Sequence, residues 1–451
     1  MRPNLLLIII DGFRADKCYG DNKTSKTPNI DSLIKNGVYF SHTISSSDAT
    51  MTCVGSIFTA LYPFQSGITA YTSHSKATKY FDILKNNGYH LYATVPDVSF
   101  WKTLTFIFND KDLYPKPYVY LYGGTGQQII ERFESKKMKE PWIYYIHIMD
   151  LHRSVKFPLP LEYDNEKFGY EAYERTVSAI DSWIGKILQQ INLDNTLVIL
   201  TSDHGDFIPI PSIGNEINYI PTLVEKSRLI KKHTPKFLEP FAFKIFLLLR
   251  TILTPIRAKI LKQKLTDDEM RTLNLRVDKS MWDIFDEIYC IPLIFSGYNI
   301  SSHKIITQQV RQIDIFPTIA ELIGIKDDYP EKEGQSLVPL IQGRQLMELP
   351  AYIEQASTIP NKLGNSIGIR TPQYKYYRAR NNPKKNVVLF DLQNDPLEKT
   401  NIAMNRSDIV EQMEKTIEQI RNSSLVKNKP EQITKDEAKK IEQELRKLGY
   451  M

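Results

Sequence analysis

Two apolar segments of strand length, far apart in the sequence, each run into a carboxylate. Leu5–Ile10 is followed by Asp11, and Leu197–Thr201 is followed two residues later by Asp203. Buried parallel strands have continuous apolar sequences, and ligands of α/β folds bind outside the carboxyl ends of such strands. We therefore expect Asp11, Asp203 and the adjacent His204 to meet at one edge of a sheet. Two carboxylates and an imidazole are typical ligands of a divalent cation, although each aspartate alone would equally suit a helix cap.

Apolar segments of strand length alternate with helix patterns up to about residue 325. Besides the two segments above, the predicted strands are Ile34–Phe40, Leu91–Val95, Trp142–Met149 and Pro292–Phe295. Phe168–Leu193 has apolar residues at helical spacing and a charged opposite face, which predicts a long helix. This alternation favours an α/β fold with a mainly parallel sheet that helices cover on both faces.

The sequence pattern changes at about residue 349. Tyr374–Arg380 and Val387–Asp391 predict the two strands of a hairpin around a polar turn, and the chain from Asp408 onward predicts a charged helix. The sequence therefore predicts a large domain over residues 1–345 and a small C-terminal α+β subdomain over residues 346–451.

Residues 225–278 interrupt the alternation and carry a strong positive charge. Between Glu225 and Lys264 there are eleven Lys or Arg and two Glu, a local net charge of +9 in a chain whose total is +6. Within 237–264, one face of a helical projection collects the apolar residues Ile245, Leu249, Ile252, Leu253, Ile256 and Ile260. Such a basic amphipathic segment suits either an anionic membrane surface or packing on the domain or on a partner subunit. Since the basic balance is local, it gives no reason to predict nucleic-acid binding.

Cysteine usage and hydropathy both favour a cytoplasmic location. The three cysteines, Cys18, Cys53 and Cys290, are widely separated and form no C-x-x-C pair, which argues against a disulfide framework or a thiolate metal site. The apolar run at 5–10 is too short for a signal peptide, and no window approaches the roughly 20 apolar residues of a membrane span. We therefore expect a cytoplasmic protein, peripheral to the membrane if 237–264 binds lipid.

A series of short motifs extends over nearly the whole chain except the basic insertion. They are Thr27–Leu33 with Asn36–Phe40, Ile148–His152, Ser202–Gly205, Ile291–Ile294, Asp314–Thr318 with Gly324 and Ile325, Gly334–Leu337, Leu389–Pro396 and Leu448–Tyr450. In this order the motifs resemble the sulfatase branch of the alkaline phosphatase superfamily. The resemblance implies a mixed, mainly parallel sheet sandwiched by helices. It also implies a metal held by carboxylates beside a covalent nucleophile.

The nucleophile position departs from that family. Sulfatases place a cysteine or serine in the pattern C/S-x-P-S-R, about thirteen residues before a Tyr-Pro pair, and convert it to formylglycine. Counting back thirteen residues from Pro63 gives Thr50, whereas Cys53 is out of register and lacks the Pro and Arg of the pattern. A threonine cannot become an aldehyde, but it can attack an ester if a metal lowers the pKa of its hydroxyl. The resemblance thus implies Thr50 as the nucleophile, or as a helix N-cap in an inactive relative, and Cys53 as a small buried residue.

The implied metal site has four ligands for one divalent cation. They are Asp11, Asp203, His204 and the hydroxyl of Thr50. Gly12 stands where sulfatases usually have a second aspartate, so we do not expect a second metal. Oxygen-rich ligands with one histidine suit manganese, magnesium, calcium or zinc.

Other groups are expected to bind the ester itself. His152 matches the sulfatase histidine that contacts the anionic ester, and it is our second predicted catalytic residue, with a surface loop histidine as the alternative. Met281 stands where relatives often carry a lysine, and Cys290 stands where they carry an arginine. Arg14 and Arg153 are the remaining candidates for neutralising the anion.

The sequence therefore predicts a metal-dependent hydrolase or transferase of anionic esters. Phosphodiesters are the preferred substrates because water or an alcohol can resolve a phospho-threonine, and because phosphodiesterases and phosphoglycerol transferases similar to this chain carry threonine at this position. The basic insertion favours a lipid-linked or glycan substrate. A sulfuric ester hydrolase is the first alternative. A catalytically degenerate binding or scaffold protein is the second, favoured by Gly12 and Cys290 but opposed by the retained Thr50, Asp203 and His204.

Overall fold

A computed structural model describes most of the chain. The described residues are 2–68, 79–105, 107–114, 120–152, 159–206, 284–300, 303–326, 332–356, 365–423 and 443. The basic insertion predicted at 225–278, with its amphipathic stretch 237–264, lies outside these residues. Arg153, Met281 and the part of the predicted terminal helix beyond residue 423 also lie outside them, apart from residue 443.

The larger of two sheets has nine strands in the described part of the chain. They are β1 (Asn4–Ile10), β2 (Gly37–Ile44), β3 (His90–Pro96), β4 (Asp110–Tyr114), β5 (Trp142–Ile148), β6 (Thr196–Thr201), β7 (Cys290–Gly297), β8 (Lys304–Ile306) and β9 (Val310–Arg311). Their order across the sheet is β4-β3-β5-β1-β6-β7-β2-β8, and β9 also pairs with β2.

Strand direction in this sheet is uniform except for one strand. The pairs from β4 to β6 are all parallel, whereas β7 runs antiparallel to both of its neighbours, β6 and β2. Every residue of β1, β5 and β6 is buried, as expected for central parallel strands covered on both faces. The α/β class predicted from the alternating pattern is therefore confirmed, and β7 makes the sheet mixed.

Helices connect and cover these strands. The α-helices among the described residues are α1 (Ala15–Cys18), α2 (Pro28–Lys35), α3 (Thr50–Thr59), α4 (Pro63–Ser66), α5 (Lys79–Asn86), α6 (Ser99–Leu104), α7 (Thr125–Glu134), α8 (Ala172–Leu188), α9 (Asp286–Tyr289), α10 (Ile315–Leu322), α11 (Val338–Ile341) and α12 (Ser407–Ser423). All ten residues of α3 are buried, so this helix is part of the core rather than a surface cover.

The second sheet lies in the C-terminal part of the chain. Its four strands are antiparallel and consecutive: β10 (Ala351–Glu354), β11 (Ser366–Arg370), β12 (Tyr374–Ala379) and β13 (Val388–Asp391). Met413 and Ile417 of α12 pack with this sheet in one buried cluster. This confirms the small C-terminal subdomain with antiparallel strands. The bounds of the two predicted hairpin strands agree with those of β12 and β13 to within one residue. The predicted division between residues 345 and 346 stays a prediction.

The bounds of two elements differ from the sequence-based prediction by three or more residues. The strand predicted at Ile34–Phe40 begins only at Gly37, because Ile34 belongs to α2, where Ile30, Leu33 and Ile34 form one buried face. The helix predicted at Phe168–Leu193 is shorter, since α8 covers Ala172–Leu188. The edge strand β4 was not predicted, because its sequence Asp-Lys-Asp-Leu-Tyr is mostly charged.

Among the described helices, none combines the length and the apolar character that crossing a membrane requires.

Candidate active site and metal centre

The carboxyl ends of three adjacent strands, β5, β1 and β6, form the base of the candidate site. Asp11 directly follows β1, Asp203 lies two residues beyond β6, and His152 lies four residues beyond β5. Asp11 and Asp203 are both fully buried. The backbone N–H of Gly12 donates to Oδ1 of Asp203 at 3.2 Å, which ties the ends of β1 and β6 together. The structure therefore brings the two predicted carboxylates to the same edge of the sheet.

Thr50 reaches this edge as the first residue of α3. Its hydroxyl donates to Oδ2 of Asp11 at 2.9 Å, and its Oγ1 lies 3.4 Å from Nε2 of His204. The side chain is only 1% exposed. The threonine hydroxyl is thus held between a carboxylate that accepts its hydrogen bond and an imidazole nitrogen.

The orientation of His204 is fixed by its backbone neighbour. Nδ1 lies 2.7 Å from the carbonyl oxygen of Gly205, and because a carbonyl only accepts, Nδ1 carries a proton. Nε2 faces Thr50 and lies 3.6 Å from Oδ2 of Asp203. Burial lowers the pKa of His204, but the charges of Asp203 and Asp11 outweigh it and raise the pKa to about 9. The site therefore carries an excess of negative charge that attracts a proton or a metal cation.

His152 contacts Asp11 on its other oxygen. Nδ1 of His152 lies 2.8 Å from Oδ1 of Asp11, and the histidine is 5% exposed. Burial alone would raise the pKa of Asp11, but the charge and hydrogen bond of His152, the contact with His147 and the charge of His204 hold it well below its ordinary value. Asp11 is therefore a carboxylate, with Thr50 on one oxygen and His152 on the other.

The donor atoms fit a single divalent cation. Oδ2 of Asp203 is buried and has no hydrogen-bond partner among the described residues. A buried carboxylate oxygen without a partner is costly unless a cation compensates it. Ligand atoms of Asp11, His147 and Asp203 all lie within 4.8 Å of one another, and oxygen and imidazole donors suit magnesium, manganese or zinc. The ligand roles predicted for His204 and Thr50 stay predictions, although both residues border this cluster.

Sequence reasoning did not find His147. This histidine lies in β5, where it pairs in register with Ile9, two residues before Asp11. Its side chain is fully buried. The signal in the sequence was a single imidazole inside an apolar strand that was predicted to be buried, and its significance depends on β5 being adjacent to β1.

The arginine candidates for neutralising an anion are not supported by free guanidinium groups in the described site. Arg14 forms a two-pronged pair with Asp16, through Nε at 2.8 Å and Nη2 at 2.7 Å. Two of its three guanidinium nitrogens, Nε and Nη2, are therefore already engaged by a carboxylate. Arg153, the other candidate, lies outside the described residues.

Cys53 is a packed residue. Its Sγ donates to the carbonyl oxygen of Ser47 at 3.1 Å, and the side chain is fully buried. Burial raises the pKa of the Cys53 thiol well above its ordinary value, which leaves it protonated and unreactive. Cys53 is therefore the small buried residue that was expected, and Thr50 as the nucleophile stays a prediction.

Comparison with known proteins identifies the family. Residues 3–325 match the family model described as sulfatase, and residues 277–423 match the model of the C-terminal part of N-sulphoglucosamine sulphohydrolase. The chain belongs to the sulfatase family. The residues at the sheet edge described above lie within the first of these matches.

Similar sequences include several sulfatases. The choline-sulfatase of Rhizobium meliloti is 32% identical over 142 residues, which cover 30% of this chain and 26% of that protein. The match thus spans about a quarter of that relative. The ulvan-active sulfatase of Formosa agariphila is 21% identical over 460 residues, covering 90% of this chain and 76% of the relative.

Solved structures of similar fold cover nearly the whole chain. A sulfatase-family protein of Bacteroides thetaiotaomicron aligns with a TM-score of 0.66 and 17% identity, covering 97% of this chain and 96% of the other. A 2-O GAG sulfatase aligns with a TM-score of 0.63 and 17% identity, covering 94% and 93%. The phosphonate monoester hydrolase of Agrobacterium radiobacter aligns with a TM-score of 0.60 and 16% identity, covering 94% and 96%. At these identities the similarity establishes the alkaline phosphatase-like fold.

Proposed function

We propose that this protein is a metal-dependent hydrolase of anionic esters that uses Thr50 as its nucleophile. One observation carries the proposal, namely the Thr50 hydroxyl held 2.9 Å from Oδ2 of Asp11 and 3.4 Å from Nε2 of His204. The buried, unpartnered Oδ2 of Asp203 beside them supports a bound cation. Sulfuric esters are our first candidate substrate class.

The residues act on the ester in two stages. Asp11 accepts the hydrogen bond of the Thr50 hydroxyl and orients Oγ1 for attack on the central sulfur or phosphorus. The bond from Oγ1 to that atom forms as the bond to the leaving alkoxide breaks, and the proton that the hydroxyl loses balances the proton that the alkoxide takes up. Water then attacks the same atom, the bond to Oγ1 breaks, a proton of the water restores the Thr50 hydroxyl, and sulfate or a phosphate leaves. A cation bound here would lower the pKa of the hydroxyl and neutralise charge on the ester.

The support for sulfuric esters comes from the relatives. A choline-sulfatase and an ulvan-active sulfatase are among the similar sequences, and a 2-O GAG sulfatase shares the fold. These relatives favour the sulfuric ester alternative over the phosphodiester substrate that we predicted first from the sequence.

Phosphoric esters are the second candidate, on the chemistry of the nucleophile. Thr50 cannot form the formylglycine that expels sulfate. Thr52 and Val54 stand where the modification pattern has its proline and arginine. A phospho-threonine needs no such device, because water can attack its phosphorus directly. The fold similarity to a phosphonate monoester hydrolase also favours this class.

A direct comparison of two chromogenic esters tests the proposal. The purified chain, supplied with manganese, is incubated with an aryl sulfate and with a bis-aryl phosphate. Thr50→Ala should lower turnover of whichever ester is cleaved by at least roughly 10³-fold. Thr52→Ala is the matched control, since Thr52 is a buried threonine of the same helix.

Each outcome of this experiment decides a question. Aryl sulfate turnover that depends on Thr50 supports the first candidate, and phosphodiester turnover that depends on Thr50 supports the second. Full activity of the Thr50→Ala variant would show that Thr50 is not the nucleophile. A protein that binds no metal and cleaves neither ester would favour the catalytically degenerate binding or scaffold protein.

A further inference from the structure

His147 lies beside Asp11 at the candidate metal centre. Its Nε2 is 3.7 Å from Oδ2 of Asp11, and the imidazole is fully buried. At that distance the contact is electrostatic rather than a hydrogen bond. Nε2 has no hydrogen-bond partner among the described residues. Two roles therefore compete: a metal ligand through a lone pair on Nε2, or a donor that faces Asp11 with an N–H.

A short chain of polar contacts leads away from the other ring nitrogen. Nδ1 of His147 lies 2.8 Å from the hydroxyl of Tyr145, which projects from the same face of β5 because alternate strand residues share a face. Nε1 of Trp101, in α6, donates to that same hydroxyl at 3.2 Å. The ring centroid of Trp101 lies 4.7 Å from that of His147, so the indole both packs on the imidazole and anchors its partner.

The direction of these hydrogen bonds fixes the tautomer of His147. An indole N–H can only donate, so the Tyr145 oxygen accepts from Trp101. The single hydroxyl proton of Tyr145 then remains to be donated, and Nδ1 of His147 is the acceptor that the structure provides. A neutral imidazole that accepts at Nδ1 carries its proton on Nε2.

The opposite tautomer would leave a buried proton unsatisfied. If Nδ1 carried the proton, both Trp101 and His147 would donate to the Tyr145 oxygen. The hydroxyl proton of Tyr145 would then need another acceptor, and within the described residues its hydrogen bonds are to Trp101 and His147. A buried donor without a partner loses its hydration without replacement, which favours the tautomer with the proton on Nε2.

We propose that His147 is a positioning residue that presents its Nε2–H to the Asp11 carboxylate, and that it is not a ligand of the metal. A protonated Nε2 has no lone pair for a cation, whereas its N–H is attracted to Oδ2 of Asp11. That oxygen also accepts the hydrogen bond of Thr50. His147 would therefore hold the carboxylate in the orientation that both the nucleophile and the cation require. The catalytic consequence rests on the proposed function, but the metal-binding consequence does not.

Two substitutions at His147 separate the roles. The amide nitrogen of glutamine reaches the position of Nε2, and that of asparagine reaches the position of Nδ1. Titration calorimetry with Mn²⁺ on metal-free protein should give His147→Gln a dissociation constant within about 3-fold of the wild type. His147→Asn should lose roughly 10-fold or more, the scale expected for a residue that orients a metal ligand. If His147→Gln loses as much affinity as Asp203→Asn, His147 is a ligand and the proposal is wrong.

A second measurement reads the position of the proton in the wild-type protein directly. Histidine-selective ¹⁵N labelling of the wild type, with the His147 signals assigned by their loss in His147→Gln, reports which ring nitrogen is protonated. We expect a protonated Nε2 both without metal and with Mg²⁺. Loss of the Nε2 proton on adding Mg²⁺, or a protonated Nδ1, would overturn the proposal. Metal binding without ester turnover would instead contradict the proposed function and leave this inference standing.

Discussion

Two buried polar clusters in this protein differ in whether cationic side chains balance their carboxylates. In the C-terminal part, Lys375 contacts both Asp286 and Glu398, and Arg370 pairs with Asp286 at 2.8 Å. Two cations thus face two carboxylates, and Lys375 is fully buried. At the sheet edge, by contrast, the buried carboxylates Asp11 and Asp203 face histidines, and Oδ2 of Asp203 has no hydrogen-bond partner within the described structure.

This difference separates a structural cluster from a binding site. Buried charges of opposite sign that pair with one another need no further ligand. Removing one partner leaves the other charge uncompensated. A buried carboxylate pair without a matching cation is complete only when a ligand supplies positive charge. Pairing with Arg370 and Lys375 keeps the pKa of Asp286 low despite its burial. At the sheet edge, the charges of the carboxylates instead raise the pKa of His204.

Substitution of Lys375 should have the largest effect on stability. Lys375→Met leaves Glu398 and Asp286 short of a cation in a buried cluster, which costs about 3–5 kcal/mol. Urea unfolding measures this loss. The matched control is Lys415→Met, because Lys415 pairs with Glu411 at 2.7 Å on the surface, where both side chains are mostly exposed and such pairs contribute little. If Lys375→Met lowers the free energy of unfolding by less than about 1 kcal/mol, the cluster does not have the structural role assigned to it.

At the sheet edge, substitution of a buried charged residue should weaken metal binding without lowering the stability of the metal-free protein. Asp203→Asn removes the charge of the carboxylate whose Oδ2 has no hydrogen-bond partner within the described structure, so Mn²⁺ affinity measured by calorimetry should fall by at least about 100-fold, roughly 2.7 kcal/mol. Stability of the metal-free protein should be unchanged or higher, since the costly buried charge is gone. The control Asp181→Asn alters another buried aspartate, which accepts from the backbone of Ile30 at 2.7 Å, and should bind metal normally. Equal metal binding in Asp203→Asn and wild type would contradict the assigned site.

The sequence was sufficient for the sheet edge because its signals are local. Apolar runs ending in Asp11 and Asp203 predict strands whose ends carry carboxylates, and the resemblance to sulfatases, through the spacing before Tyr62-Pro63, implies Thr50 as the nucleophile beside them. His147 could not be assigned in the same way, since its contact with Asp11 requires knowing that β5 lies beside β1.

The charge cluster and the direction of β7 were beyond sequence reasoning for a similar reason. Asp286 meets Arg370 across 84 residues of chain, and no local period reports such a pairing. The apolar run at the start of β7 is equally compatible with either direction, because periodicity identifies a buried strand but not its partner.

Another buried carboxyl, that of Asp150, makes stability depend on pH. Burial raises its pKa to about 7, against the backbone N–H of Leu121, which donates to Oδ1 at 3.1 Å. A raised pKa means that the neutral form is favoured in the folded state. The stability that Asp150 contributes is therefore fully present below about pH 4 and is lost as the pH rises to about 7, at roughly 1.4 kcal/mol per unit. It levels off above that.

Asp150→Asn isolates this contribution. The difference in the free energy of unfolding between wild type and Asp150→Asn should fall between about pH 4 and pH 7 and then stay constant, because the amide does not titrate. Chemical unfolding at a series of pH values measures it. A difference that does not change with pH would show that Asp150 keeps an ordinary pKa.

The smallest expected effect comes from a site residue that carries no charge. Gly12 has a φ of +73°, and a Cβ there would meet the Cβ of Asp206 at 3.4 Å, an ordinary contact. Gly12→Ala should therefore cost about 1 kcal/mol in backbone strain. Gly88→Ala, at φ +88° with open space around it, should cost about as much. Because neither substitution changes a carboxylate, both should keep Mn²⁺ affinity within about 3-fold of the wild type. A loss of more than 10-fold confined to Gly12→Ala would mean that the backbone conformation that directs the N–H of residue 12 to Asp203, and not carboxylate charge alone, determines metal binding.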